Sequence, residues 1–151
     1  VYEEIHGVEK EVEETDEFIS TSLEALEKEL QSIADKPAYD EAEKVDRGYV
    51  HSSKFRLMFL RSEYFHIQKT AIRLVKYMEG IRDYFGDGVL GRPLNMSDLE
   101  KDDLAYLKTG NHQILSERDS TGRIIVFDYH LSRKRLYKRN ENLVSLFDWY
   151  V

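Results

Sequence analysis

The chemistry open to this sequence is limited by which reactive side chains fall near one another. His6, His51, His66, His112 and His130 are the five histidines, and no two lie four residues apart as a helical zinc site requires. Asp87 and Asp128 lack companions at the spacing of a calcium loop. Ser116, Ser120 and Ser132 stand outside any strand–turn–helix nucleophile context. There is no cysteine, which removes disulfides, thiolate ligands and a thiol nucleophile. Glu117 and Asp119 straddle a turn and read as residues that fix it rather than as an acid–base pair. Gly86, Gly88 and Gly91 have the spacing of a dinucleotide loop, but that loop must follow a strand and open a helix. Here a helical pattern precedes it and Pro93 follows. The sequence therefore predicts a non-catalytic chain with no metal site and no cofactor.

Charge says more. Arg133, Lys134, Arg135, Lys138 and Arg139 form the densest basic run, with Tyr137 inside it. Such a run draws phosphates of lipid or nucleic acid, or else is a solvated loop or an internal partner for acids elsewhere. A pI near 5.3 argues against a nucleic-acid partner. Residues 1–46 hold 16 acids and 4 bases, while the whole chain carries a net charge of −7. The body after residue 46 is therefore mildly basic. The acidic head is either a solvated helix face or a docking element, for this chain or for a basic partner.

These groups need elements to position them. At 151 residues with 41% hydrophobic composition, the chain is one domain with room for a core. It shows no apolar run of membrane-spanning length and no secretory-signal pattern. Compartment is left open; a soluble or peripheral-membrane protein in an intracellular setting is the expectation. Residues 1–14 read as an acidic lead-in, helical or disordered. Thr15 caps a helix whose Ile19, Leu23, Leu26, Leu30 and Ile33 alternate spacings of four and three, ending near Ala34. Pro37 stops it and opens a short helix over 38–45.

The core is expected over Lys54 to Phe85, as two tandem helices. Phe55, Met58, Phe59 and Ser62 share a face of the first; Ile67, Ala71, Leu74, Val75, Met78 and Phe85 share a face of the second. Tyr64 and Phe65 form an aromatic corner that would pin one helix on the next. A loop follows, and then a Ser97–Glu100 capping box opens a helix to about Lys108, with Leu104 and Leu107 inward and Gly110 as its stop. Residues 112–117 and 123–129 read as strands joined by a turn over 118–122 with Asp119 and Gly122 as turn formers. Leu143, Leu146, Phe147 and Tyr150 then face inward on a final amphipathic helix. The fold class is mainly α, classed α+β: an N-terminal helical bundle, one β-hairpin and that final helix. An apolar helix running to Val151 with no cap implies a chain that continues.

The stretch Phe55 to Ala71, FRLMFLRSEYFHIQKTA, resembles the paired-helix signature of the CRAL-TRIO lipid-binding proteins, the phosphatidylinositol- and tocopherol-transfer type. Gln113 to Val126 is similar to that family's D-x-x-G-R-P-V hairpin, with Ile124 where the family has proline. The similarity spans roughly residues 18–151. It implies a helical subdomain over 15–110 and, over 111–151, the start of the lipid-binding domain. The family's later strands and gate helix have no counterpart in this sequence, so no lipid-contact residue is carried over. The implied function is non-catalytic binding or transfer of a hydrophobic lipid at a membrane surface. Lys54, Arg56 and Arg61 are candidates for anionic headgroups, against solvation or ion pairing with nearby acids. The alternative is a structural subunit of a larger protein assembly. It would present helical faces, the acidic N-terminus and the Leu143, Leu146, Phe147 and Tyr150 surface to partners.

Overall fold

A computed structural model describes residues 12–110, 112–118 and 124–128. The fold is mainly α with one antiparallel hairpin. Its helices are α1 (Asp16–Ser32), α2 (Pro37–Val50), α3 (Ser53–Ser62), α4 (Ile67–Phe85) and α5 (Lys101–Leu107). Its strands are β1 (His112–Arg118) and β2 (Ile124–Asp128). The sites proposed at Arg133, Lys134, Arg135, Lys138 and Arg139, and at Leu143, Leu146, Phe147 and Tyr150, lie outside the described residues. So do the acidic head up to Glu11 and the turn over 119–123.

The chain divides into two compact units, Val1–Pro93 and Leu94–Val151. Val89 and Leu90 of the glycine-rich loop are buried, and their short 3-10 turn packs on α4. α5, by contrast, buries no residue fully.

In the first unit α4 is the hub, packed against α1, α2 and α3. Thr15 caps α1 as expected: its Oγ1 accepts the Phe18 N–H at 3.2 Å, with Asp16 and Glu17 in the first turn. Leu26 and Leu30 are buried from α1, and Ile19, Leu23 and Ile33 are half-buried beside them. Pro37 is the first residue of α2, where its missing N–H costs nothing. α2 runs past Val45 but breaks at Asp46 (φ −150, ψ 91), whose Oδ1 accepts the Tyr49 N–H at 2.9 Å and restarts the turn.

The buried stripe of α3 is rotated from its expected position. Phe55, Arg56, Phe59 and Leu60 are buried, whereas Met58 is 47% exposed and Ser62 is exposed. Phe55 and Phe59, common to both faces, sit in a ring cluster: Phe55 packs on Tyr49, Phe59 and Tyr77, and Phe59 meets Tyr77 edge-on. Arg56 turns inward onto the Val50 carbonyl, the Tyr39 hydroxyl and Glu27, and Leu60 follows it. On α4 itself Ala71, Leu74, Val75 and Met78 are buried as expected, and Thr70 and Ile81 join them. The corner between α3 and α4 puts Tyr64 (φ 50) and Phe65 (φ 60) in the left-handed region. Phe65 N–H donates to the Leu60 carbonyl at 2.7 Å, closing the last turn of α3. The Phe65 ring then packs on Phe18 of α1 at 4.9 Å. Phe65 thus ties the corner to α1.

In the second unit the capping box is Asn95–Asp98, not Ser97–Glu100. It closes a 3-10 turn, Met96–Asp98, and α5 begins only after Glu100. Leu104 and Leu107 are half-buried, and Gly110 (φ 73) ends the segment as expected. β1 and β2 pair antiparallel, with Ile114 opposite Val126 and Arg118 opposite Ile124. The register shift between those pairs is a bulge in β1.

Candidate functional site

The three cations proposed on α3 have different fates. Arg56 is 4% exposed and is withdrawn as a headgroup contact. Its Nε donates to the Val50 carbonyl at 3.1 Å, and one Nη donates to the Tyr39 hydroxyl at 2.9 Å. The same Nη lies 2.7 Å from Glu27 Oε2, an ionic contact off the line of a directed hydrogen bond. Glu27 Oε1 accepts from the Gln31 side chain at 2.8 Å. His51 bridges outward from this cluster, with Nδ1 3.5 Å from Glu27 and Nε2 against Glu43. Residues of α1, α2 and α3 therefore meet in one polar knot inside the helical unit.

Electrostatics fit that arrangement. Burial on its own would raise the Glu27 carboxyl, but its contacts with Arg56 and Gln31 and the nearby charges of Arg56 and His51 hold it below the ordinary value. Burial pushes the Tyr39 hydroxyl up to about 12, so it stays protonated beside the guanidinium. A buried cation with three protein partners is a structural element, since leaving it unpaired would cost several kcal/mol.

Lys54 and Arg61 face outward, with Met58 between them in the helix. Arg61 does not stand alone. Its Nε donates to Glu14 Oε1 at 2.9 Å and Oε2 at 3.1 Å, and an Nη donates to Oε2 at 2.6 Å. These bonds hold the Glu14 carboxyl below its ordinary value. A second pair, Arg73–Glu63, spans the corner between α3 and α4. The outward side of α3 is thus an apolar residue flanked by cations, one of which already holds a carboxylate.

The hairpin presents a different surface. Ile114 is 69% exposed, Ile124 56%, Val126 50% and Phe127 51%. Side chains alternate across a strand, so these residues and Leu115 and Ile125 place apolar surface on both faces. A run such as Ile124–Phe127 is the pattern of a strand covered on both sides.

Gly91 (φ +80) is buried where a Cβ would lie 3.0 Å from the Asp46 amide and from Val45, so this one glycine of the three serves a close approach to the break in α2. Among the described residues, no group of three or more His, Cys, Asp or Glu side chains is placed to hold a metal ion. No described helix is long and apolar enough to cross a membrane. Sequence reasoning missed Glu14, Glu27, Tyr39 and His51, which act across helices and leave no local spacing signal. No protein-family model, curated protein or solved structure matches this chain.

Proposed function

We propose that this protein is a non-catalytic recognition module for a hydrophobic lipid, working at a membrane surface as the CRAL-TRIO resemblance implies. The observation that carries this reading is the hairpin: a strand pair with apolar side chains on both faces, all of them open to solvent in the described residues. Surface of that kind marks a site for a ligand or a partner. The braced helix pair α3–α4, which bears the family-like signature, supports the same reading. The outward cations Lys54 and Arg61 supply the contact with an anionic bilayer.

The test is to purify the chain from a lipid-containing host, extract it with organic solvent and identify the extract by mass spectrometry. A stoichiometric lipid that is lost in a Val126→Asp variant of unchanged helicity is the expected result. A lipid-free chain that instead co-purifies with a defined protein, with the partner lost in the same variant, would replace this reading with the structural-subunit one.

A further inference from the structure

We propose that Glu14 is an internal competitor for Arg61, occupying its guanidinium until an anionic lipid headgroup displaces it. The inference rests on the membrane-surface reading above and adds to it a device that sets how strongly the surface is held.

Lys54, Met58 and Arg61 lie at i, i+4 and i+7 of α3, one face of the helix, and all three are exposed. An apolar side chain between cations is what an anionic bilayer engages: the apolar group enters the interface and the cations meet headgroups. Arg61 has the planar fork that grips a carboxylate or a phosphate at two points. In this structure Glu14 fills that fork, making three hydrogen bonds between 2.6 and 3.1 Å. Glu14 belongs to the chain just ahead of the α1 cap at Thr15 and is 47 residues from its partner, so the contact is tertiary rather than a within-helix pair.

The pair is built to open. Arg61 remains 55% exposed and the Glu14 side chain 29%. Water and salt screen a pair at that exposure, which limits it to about a fivefold effect on an equilibrium. Arg56, five residues earlier, is closed in by three protein partners and has no such freedom. A headgroup phosphate arriving with many like charges in one plane can therefore outcompete a single exposed carboxylate. Until it does, the cation stays neutralised and the face adheres weakly.

The experiment is co-sedimentation of the full chain with phosphatidylserine–phosphatidylcholine vesicles and with phosphatidylcholine alone, at one ionic strength. Four variants are compared with the parent: Glu14→Gln, Arg61→Gln, the double variant, and Glu13→Gln. The last is an exposed neighbour that changes the net charge equally without touching Arg61. Circular dichroism checks that helicity is kept. Glu14→Gln is expected to bind the anionic vesicles about two- to fivefold more tightly than the parent. Glu13→Gln should gain less than Glu14→Gln, and Arg61→Gln should abolish the Glu14→Gln gain. Equal gains from Glu13→Gln and Glu14→Gln would reduce the effect to net charge and overturn the competitor role. A parent that binds while Glu14→Gln gains nothing would overturn it too, leaving the membrane reading in place. Failure of every variant to bind anionic vesicles would overturn both.

Discussion

Arg56→Met is the sharpest test of the polar knot. Methionine keeps an unbranched stem of similar reach and removes the guanidinium. Three groups then lose a partner: the Val50 carbonyl, the Tyr39 hydroxyl and the Glu27 carboxylate. Breaking a buried pair from one side costs about 3–5 kcal/mol, because the surviving charge is left in a poor medium. Glu27 Oε2, the oxygen facing Arg56, is buried, but the carboxylate keeps its bond from Gln31 at Oε1 and 29% side-chain exposure, which relieves part of that penalty. The lower end, about 3 kcal/mol, is the expectation. With a urea slope of about 1.5 kcal/mol/M for the helical unit, the unfolding midpoint drops by roughly 2 M.

A second arm separates charge from packing. Removing both partners, as Glu27→Leu with Arg56→Met, leaves no orphaned charge and should be less destabilising than Arg56→Met alone. Urea unfolding followed by far-UV circular dichroism measures both, together with Glu27→Leu alone. A single-variant loss below about 1 kcal/mol would refute the argument that the cation is structurally committed. So would a double variant that costs the sum of the two singles, since the knot would then hold no coupling.

Three further outcomes are expected. The folded Glu27 carboxyl lies below its ordinary value of 4.5, so its contribution is complete above that pH and is lost as pH falls through the folded value. Acid titration of the unfolding free energy should therefore show a loss below about pH 4.5 that is smaller in Glu27→Gln; an unchanged acid limb in that variant would count against the assignment. Gly91→Ala combines a positive φ with a 3.0 Å approach to the Asp46 amide and should cost about 2 kcal/mol, read as a lower melting temperature. Thr15→Ala removes the α1 cap and should cost about 1 kcal/mol by the same assay, with a loss near zero refuting the cap's role.

The helices were legible because their signals are local. Thr15, Pro37 and the four–three spacing of α1 and α4 need no knowledge of the rest of the chain. The face of α3 was not, because its ten residues offer two apolar stripes, 55/58/59/62 and 55/56/59/60. Phe55 and Phe59 belong to both, and the partners of Arg56 on other helices, Tyr39 and Glu27, distinguish them. Burying an arginine looks wrong by composition, and the residues that make it tolerable are 6, 17 and 29 positions away. The Ser97–Glu100 box failed for a different reason: Asn95 and Asp98 satisfy the same pattern two residues earlier and win it. Residue type found the cations of α3, and tertiary contact sorted them.

That sorting follows from helix geometry. Each residue turns the chain by about 100°, so positions five apart differ by about 140°. Arg56 and Arg61 therefore cannot both lie on the buried stripe: with Phe55, Arg56, Phe59 and Leu60 turned inward, Arg61 faces out. The inner arginine gains fixed partners and loses exchange with solvent. The outer one keeps exchange and acquires a partner it can give up. A substitution at Arg56 should accordingly change stability, and membrane adhesion only through unfolding. A substitution at Arg61 should change adhesion to anionic vesicles at nearly constant stability. If both variants shifted the urea midpoint alike, Arg61 would be a structural cation too, and α3 would have no outward face free to serve a ligand.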